Sequence, residues 1–349
     1  MKDKKGTVTI RELAACAQVS PATVSRVINS SGYVSDAARK RVEAAIKELG
    51  FVPNARARGL SGRPSGLVAL IIPSILNIFY TALSESIENS LKRLGYVMLL
   101  GVTDDDPDLY LTYLKRFAEL KADGIIAVPP PGSKCLPMIQ RMVELGIPMV
   151  EVNRRHEHCV LDAVLADNFQ GARQGTEYLV SLGHRRIALI IGSLETSTGR
   201  ERLAGFRWVL ANAGIEVDPD LIKIGEFSKE FGVQATEELL ALPMPPTAIF
   251  ATSNRILVGV VATLTHHGLR VPEDVSLLSF DDSEWLSIWR PSITAVDIAI
   301  DEMGTLAVEL LMRWIRSGQR PETPRTYSLS TALIPRESCR PLLPHSPKL

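Results

Sequence analysis

The spacing of apolar residues changes near residue 65. Before that point they recur three and four positions apart in short bursts, which predicts small amphipathic helices. Ile10, Leu13, Ala14 and Ala17 share one such face, Val24, Val27 and Ile28 a second, and Val42, Ala45, Ile46 and Leu49 a third. After Ser61-Gly62-Arg63-Pro64-Ser65-Gly66 the pattern becomes near-continuous apolar runs separated by amphipathic stretches. Strand candidates are Leu67–Ile72, Tyr96–Val102, Gly124–Val128, Pro148–Val152, Asp162–Ala166, Ile187–Ile191, Leu221–Ile224, Ala248–Ala251, Val275–Phe280, Thr294–Val296 and Tyr327–Leu333. Helices over 78–94, 108–120, 169–182, 201–213, 230–241, 255–267 and 302–316 separate them. Such alternation predicts parallel sheets covered on both faces. Two successive sets of units predict two doubly wound subdomains, with a ligand crevice at the carboxyl ends of their strands.

Local chemistry sharpens the first segment. Thr9 and Glu12 have the spacing of a capping box. Gln18-Val19 makes a tight turn, and Ser20-Pro21 reads as an N-cap followed by a first-turn proline. The second helix, from Pro21 to about Ile28, leaves Thr23, Ser25 and Arg26 facing outward. A third helix, capped by Ser35 and stopped by Gly50, closes a core that two short helices cannot make alone. Two short helices joined by a turn, the second exposing small polar residues and an arginine, form a helix-turn-helix arrangement. A small helical hairpin can also dock protein.

Charge bears on that choice. The 349-residue chain is neutral overall, yet residues 1–64 hold 12 Lys+Arg against 5 Asp+Glu, and the remainder holds 27 against 34. A basic head on an acidic body fits a polyanion-binding module or merely a solvated basic surface. With the capping pattern, it favours nucleic acid. No apolar run approaches the roughly 20 residues that span a bilayer. The start, Met1-Lys2-Asp3-Lys4-Lys5, lacks the apolar segment of a secretory signal. The four cysteines (Cys16, Cys135, Cys159, Cys339) are scattered, which fits a reducing compartment. A cytoplasmic protein without membrane contact is the expectation.

The stretches Val8-Thr9-Ile10-Arg11-Glu12-Leu13-Ala14, Val19 to Asn29 (VSPATVSRVIN) and Glu48 to Leu60 (ELGFVPNARARGL) resemble the head of the LacI/GalR family of bacterial repressors. The resemblance continues through Asp167 to Ala172 (DNFQGA), Leu182 to Ala188 (LGHRRIA), Glu201 to Phe206 (ERLAGF) and Val271 to Ser276 with Phe280-Asp281-Asp282. It implies a helix-turn-helix domain over 1–52, a hinge helix and linker over 53–64, and an effector-binding core over 65–339, followed by a tail, 340–349. The core would have the periplasmic-binding-protein-like architecture: one subdomain over about 65–165 and 294–325, the other over about 166–293 and 326–339.

By position, the resemblance places Pro21, Ala22 and Arg26 against base edges and Thr23, Ser25 and Asn29 mostly on phosphates, with Thr9 and Ser20 also among the DNA-binding residues. Asn54, Arg56, Ala57 and Leu60 would belong to the hinge, Leu60 wedging into the minor groove. It places Phe79, Tyr80, Asn153, Arg154, Arg200, Ser253 and Asp281 around a small-molecule effector, a sugar or sugar acid. One of Phe79 and Tyr80 is expected to be ordinary core, and Arg200 and Asp281 can instead pair with each other. Thr252-Ser253-Asn254-Arg255 stands where many members carry Asn-Asp. The arginines Arg154, Arg200 and Arg255 point to an acidic ligand. The partners implied are double-stranded operator DNA, the effector and a second copy of the chain. The proline-rich segment after Pro335 has no heptads, so a dimer is expected.

Other signals are set aside. His156-Glu157-His158-Cys159 has metal-ligand residue types without a second cluster and reads as a solvated loop. Asp104-Asp105-Asp106 reads as a loop or helix start. No nucleotide-binding or nucleophile motif occurs where a strand meets a helix. No cofactor, metal or catalytic set is expected, and so no enzyme.

Overall fold

A computed structural model describes residues 8–28, 32–51, 64–158 and 160–342. The chain divides into two compact units, residues 1–65 and 66–349.

In the first unit, α1 (Ile10–Cys16), α2 (Pro21–Ile28) and α3 (Asp36–Leu49) enclose a small core of Leu13, Ala14, Ala17, Val24, Val27, Val42, Ala45 and Phe51. The Thr9 backbone N–H donates to Glu12 Oε2 (2.7 Å), while the Glu12 N–H donates to Thr9 Oγ1 (3.3 Å). The capping box therefore closes in both directions. Gln18 turns the chain at φ +52°, and Gly50 ends α3 in the left-handed region at φ +59°. The Gly50 turn lets the Phe51 N–H reach the Ile46 carbonyl and folds the Phe51 ring under the core. Ile10, expected on the inner face of α1, is 39% exposed. It is the first residue of the helix.

The second unit holds two six-stranded sheets. The first comprises β1 (Leu67–Ile72), β2 (Val97–Val102), β3 (Gly124–Ala127), β4 (Met149–Val152), β5 (Asp162–Ala166) and β11 (Thr326–Leu329), in the order β11-β5-β4-β3-β1-β2, all parallel. The second comprises β6 (Ile187–Ile191), β7 (Ile222–Ile224), β8 (Ala248–Ala251), β9 (Ser276–Phe280), β10 (Thr294–Ile298) and β12 (Thr331–Ile334), in the order β12-β10-β9-β8-β6-β7. There β12 runs antiparallel to β10, a departure from the all-parallel expectation.

Helices cover both faces. α4 (Ile78–Arg93) and α12 (Ile300–Ser317) lie on one face of the first sheet, α5 (Pro107–Glu119) and α6 (Leu136–Glu144) on the other. In β1, Val68, Leu70 and Ile72 pack toward α4, while Ala69 and Ile71 pack toward α5. The second sheet is sandwiched likewise by α7 (Asn168–Ser181) and α8 (Ser197–Asn212) against α9 (Lys229–Leu240) and α10 (Asn254–His266). A one-turn helix, α11 (Glu284–Ile288), follows β9. Neither α6 nor α11 was anticipated; Pro137 disguises the first turn of α6, where a proline costs nothing.

Two segment assignments need correction. The strand at 294–298, expected in the first subdomain, pairs with β9 in the second sheet. The run Tyr327–Leu333 is two strands. Its first half, expected in the second subdomain, pairs with β5 in the first sheet, and only its second half joins β10. The chain thus passes between the sheets three times, after β5, after β10 and after β11.

Candidate functional site

In the head, α2 leaves Pro21, Ala22 and Arg26 exposed and Thr23 and Ser25 half-buried. Ser20 caps it, its Oγ accepting from the Thr23 N–H at 3.1 Å. Thr9 and Ser20 are both committed to helix starts, so their hydroxyls set the geometry of the face that α2 presents. Asn29, Asn54, Arg56, Ala57 and Leu60 lie outside the described residues.

In the second unit, polar side chains converge at the carboxyl ends of strands from both sheets. From the first sheet come Tyr80 at the start of α4, Asp105 after β2, and Asn153 and Arg154 after β4. From the second come Arg202 on α8, Phe227 after β7, Ser253 capping α10 and Asp281 after β9. Asp105, Asn153 and Asp281 have φ of +61°, +65° and +71°. Asn and Asp tolerate this left-handed backbone, which turns each side chain off its strand end into the cleft.

The charges are internally matched. Arg154, 3% exposed, forks onto Asp105 at 2.6 and 3.3 Å, and its guanidinium lies 5.0 Å from the centre of the Phe227 ring. Arg202, also 3% exposed, donates from Nε to Asn168 Oδ1 (2.9 Å) and from Nη1 to the Thr252 carbonyl. Its Nη2 lies 3.5 Å from Asp281 Oδ1, and its plane covers the Phe280 ring at 3.6 Å. Burial pushes the Asp281 carboxyl above its usual range, with Arg202 opposing that shift. Burial also pushes the Tyr80 phenol up to about 12, so it stays neutral and accepts from Asn153 Nδ2 at 3.1 Å. Three buried atoms here have no hydrogen-bond partner: Asn153 Oδ1, Arg154 Nε and Asp281 Oδ1. Unsatisfied buried polar atoms are uncommon in folded proteins, and the convergence of three of them on one cleft leaves atoms that a ligand hydroxyl can satisfy.

Six of the seven effector residues anticipated from sequence meet at this centre: Phe79, Tyr80, Asn153, Arg154, Ser253 and Asp281. Phe79 and Tyr80 pack edge-to-face at 5.2 Å, and both serve the core as well as the wall, so the expected division between them does not occur. Arg200 is the exception. It turns away to Glu157 at 2.7 Å with its side chain 39% exposed, and does not pair with Asp281. Residues 200 and 202 lie about 200° apart on a helix at 3.6 residues per turn. Only Arg202 shares the buried face with Phe206, one turn on. That spacing was available in the sequence, but the helix was expected to begin at 201 rather than at Ser197. Phe227, Thr198 and Asn77 also line the centre without having been anticipated. Arg255 lines an adjoining chamber.

His156 is not in a solvated loop. Its ring is 2% exposed and pairs through Nδ1 with the buried Glu151 at 2.7 Å. Among the described residues no group of three or more His, Cys, Asp or Glu could hold a metal ion, and no helix is long and apolar enough to cross a membrane. Asp106 caps α5, accepting from the Asp108 N–H at 2.7 Å.

Residues 9–54 match the family model described as "Bacterial regulatory proteins, lacI family", and residues 176–339 match "Periplasmic binding protein-like domain". The transcriptional repressor PurR of Klebsiella pneumoniae (strain 342) is 33% identical over 333 residues, 95% of this chain and 96% of that one. A transcriptional regulator CelR–cellobiose complex is 34% identical with a TM-score of 0.70, covering 95% of this chain and 99% of that one. The Lac repressor dimer bound to operator and the anti-inducer ONPF is 25% identical with a TM-score of 0.83, covering 96% and 100%.

Proposed function

This chain belongs to the LacI family of bacterial regulatory proteins, a ligand-responsive DNA-binding repressor, and we propose that it switches as a homodimer on a pseudo-palindromic operator in response to a neutral polyhydroxylated effector. The head would read DNA through α2, with Arg26 hydrogen-bonding a guanine edge and Pro21 and Ala22 making apolar contacts in the major groove. Asn29 and residues 53–64 would add phosphate and minor-groove contacts, Leu60 among them. The protein would act in the cytoplasm, where its DNA is.

The observation that carries the effector reading is the charge balance of the cleft. Arg154 is matched by Asp105 and Arg202 by Asp281. Arg200 is matched by Glu157 outside the centre. At this centre an acidic ligand would meet no unpaired buried cation, which favours a neutral sugar there, although Arg255, counted in the acidic expectation, lines the adjoining chamber. A neutral sugar would instead donate hydroxyls to Asn153 Oδ1 and Asp281 Oδ1 and accept from Arg154 Nε. CelR, a relative, is described in complex with a neutral sugar, cellobiose. Apolar side chains at the edge strand β2 (Val97, Leu100) and at Ile288 and Trp289 are 43–68% exposed, surface of the kind a second copy would cover.

Binding that favours one of two states of the core shifts the operator equilibrium by its differential affinity for them. Gel shift of the full chain on DNA upstream of its own gene, with neutral sugars or gluconate added, tests the reading. A retarded complex altered by a neutral sugar and indifferent to gluconate is expected. No complex on any such fragment at moderate salt overturns it.

A further inference from the structure

The two lobes of the core, one built on each sheet, are joined by three single passages of chain, at Asp167, Ala299 and Ser330. Lobes linked in this way move relative to one another by default, so contacts away from the passages bear on the angle between them. Three such contacts line one cavity of about 410 Å³, and none of them is made by a residue lining the centre described above. The Gly132 N–H, after β3, donates to the Glu195 carbonyl before α8 at a long 3.4 Å. The Arg155 N–H, after β4, donates to Ser197 Oγ at the start of α8 at 3.1 Å. Glu157 Oε1 lies 2.7 Å from Arg200 Nη2 on α8.

The ion pair joins side chains from both lobes, and each partner is ordered from its own side. Arg200 Nη1 donates to the Leu194 carbonyl at 3.0 Å, which fixes the guanidinium against the turn before its helix. Glu157 follows a segment pinned from within. There the His156 N–H donates to Glu151 Oε2 (3.1 Å), and His156 Nδ1 lies 2.7 Å from Glu151 Oε1, both side chains being buried. Exposed ion pairs are weakened by the entropy of holding two long side chains in one geometry, and here part of that ordering is already in place. The same segment carries Asn153 and Arg154 of the centre, so one loop faces both the ligand site and the opposite lobe.

We propose that Glu157 and Arg200 form a clasp between the lobes, which biases the core toward this arrangement before any ligand arrives and so sets the resting affinity for operator. The consequence for operator rests on the repressor reading above; the clasp itself does not. Arg200, anticipated as a ligand contact, then acts on the switch without touching the ligand. Because both side chains reach solvent, salt weakens the clasp, the screening length falling from about 10 Å at 0.1 M to about 3 Å at 1 M.

The Gly132 and Arg155 amides bond across the cleft, so their exchange with solvent reports its opening. Hydrogen–deuterium exchange of the full chain without ligand, read on peptides spanning 129–136 and 153–158, tests the clasp. In Glu157→Gln both peptides exchange about two- to fivefold faster, the range open to an exposed ion pair, while the buried strand 67–72 is unchanged. Glu157→Arg speeds them further, and Glu157→Arg combined with Arg200→Glu recovers part of the protection. Raising salt to 1 M speeds exchange in the wild-type protein and not in Glu157→Gln. Melting curves establish that each variant is folded, and the glutamine variant carries the test if the arginine variant is not. Unchanged exchange in Glu157→Gln, or no recovery in the folded double variant, overturns the clasp. Gel shift without sugar, on DNA upstream of the protein's own gene, then reads the bias: operator affinity in Glu157→Gln differs about two- to fivefold from wild type, and the double variant moves it back. Faster exchange with unaltered operator affinity overturns the bias. If the wild-type protein shifts no such DNA, the repressor reading falls, while the exchange rates still decide the clasp.

Discussion

Arg202 Nη2 stands 3.5 Å from Asp281 Oδ1, with both side chains buried at the strand ends of the second sheet. That distance gives ionic attraction without a hydrogen bond to Oδ1, which keeps its lone pairs. The pair therefore neutralises the site and leaves it able to accept a ligand hydroxyl.

Removing one partner strands the other. Arg202→Met should cost about 3–5 kcal/mol of stability, because Asp281 is left buried without its counter-charge. Arg202→Met combined with Asp281→Leu should recover most of that loss while effector binding stays abolished. Urea unfolding of both variants, with calorimetry against the effector, checks the two halves separately.

A second prediction concerns pH. His184 is buried, its Nδ1 2.9 Å from Thr247 Oγ1 and its Nε2 3.2 Å from the Arg340 carbonyl, and burial holds its pKa below the ordinary 6.5. As pH falls below about 6.5 the unfolded chain takes up this proton before the folded one, so stability declines. Urea unfolding between pH 7.5 and 5.5 should show a steeper loss in the wild-type protein than in His184→Gln. Equal slopes would mean that His184 does not contribute.

Close packing behind the site predicts a third effect. A methyl group at Gly205 on α8 would overlap the Phe169 carbonyl oxygen of α7. Gly205→Ala should cost about 1–3 kcal/mol by overpacking. It should also weaken effector binding, because Asn168 at the start of α7 holds Arg202 Nε. A melting curve unchanged within error would contradict this.

In the head, Arg26→Ala should weaken operator binding by about 1–3 kcal/mol and relax preference at one base pair. Thr9→Ala should cost about 1 kcal/mol through loss of the N-cap, weakening all sequences alike. Competition gel shifts against single-base operator variants distinguish the two patterns.

Features set by nearest neighbours could be read from the sequence. The Thr9–Glu12 box, the Gly50 stop and the hydrophobic strands are local, and their residues declare them. What stayed hidden depended on register or on distant pairing. Arg200 and Arg202 differ only in which face of α8 they occupy, and that needed the helix start at Thr196-Ser197. The run 327–333 is uniformly strand-like, and only its two partners, β5 and β10, reveal the change of sheet near Ser330. His156 reads as polar loop because Glu151, five residues earlier, points out of an otherwise apolar strand.

The three passages between the sheets have a consequence for synthesis. β11 and β12 form an outer edge of each sheet, and both come from residues 326–334. Neither lobe can be completed as a chain emerges until almost its whole length is available. A nascent protein ending near residue 325 would present two naked edges, at β5 and at β10, each a template for unwanted pairing. The two lobes reach completion together, within the same nine residues.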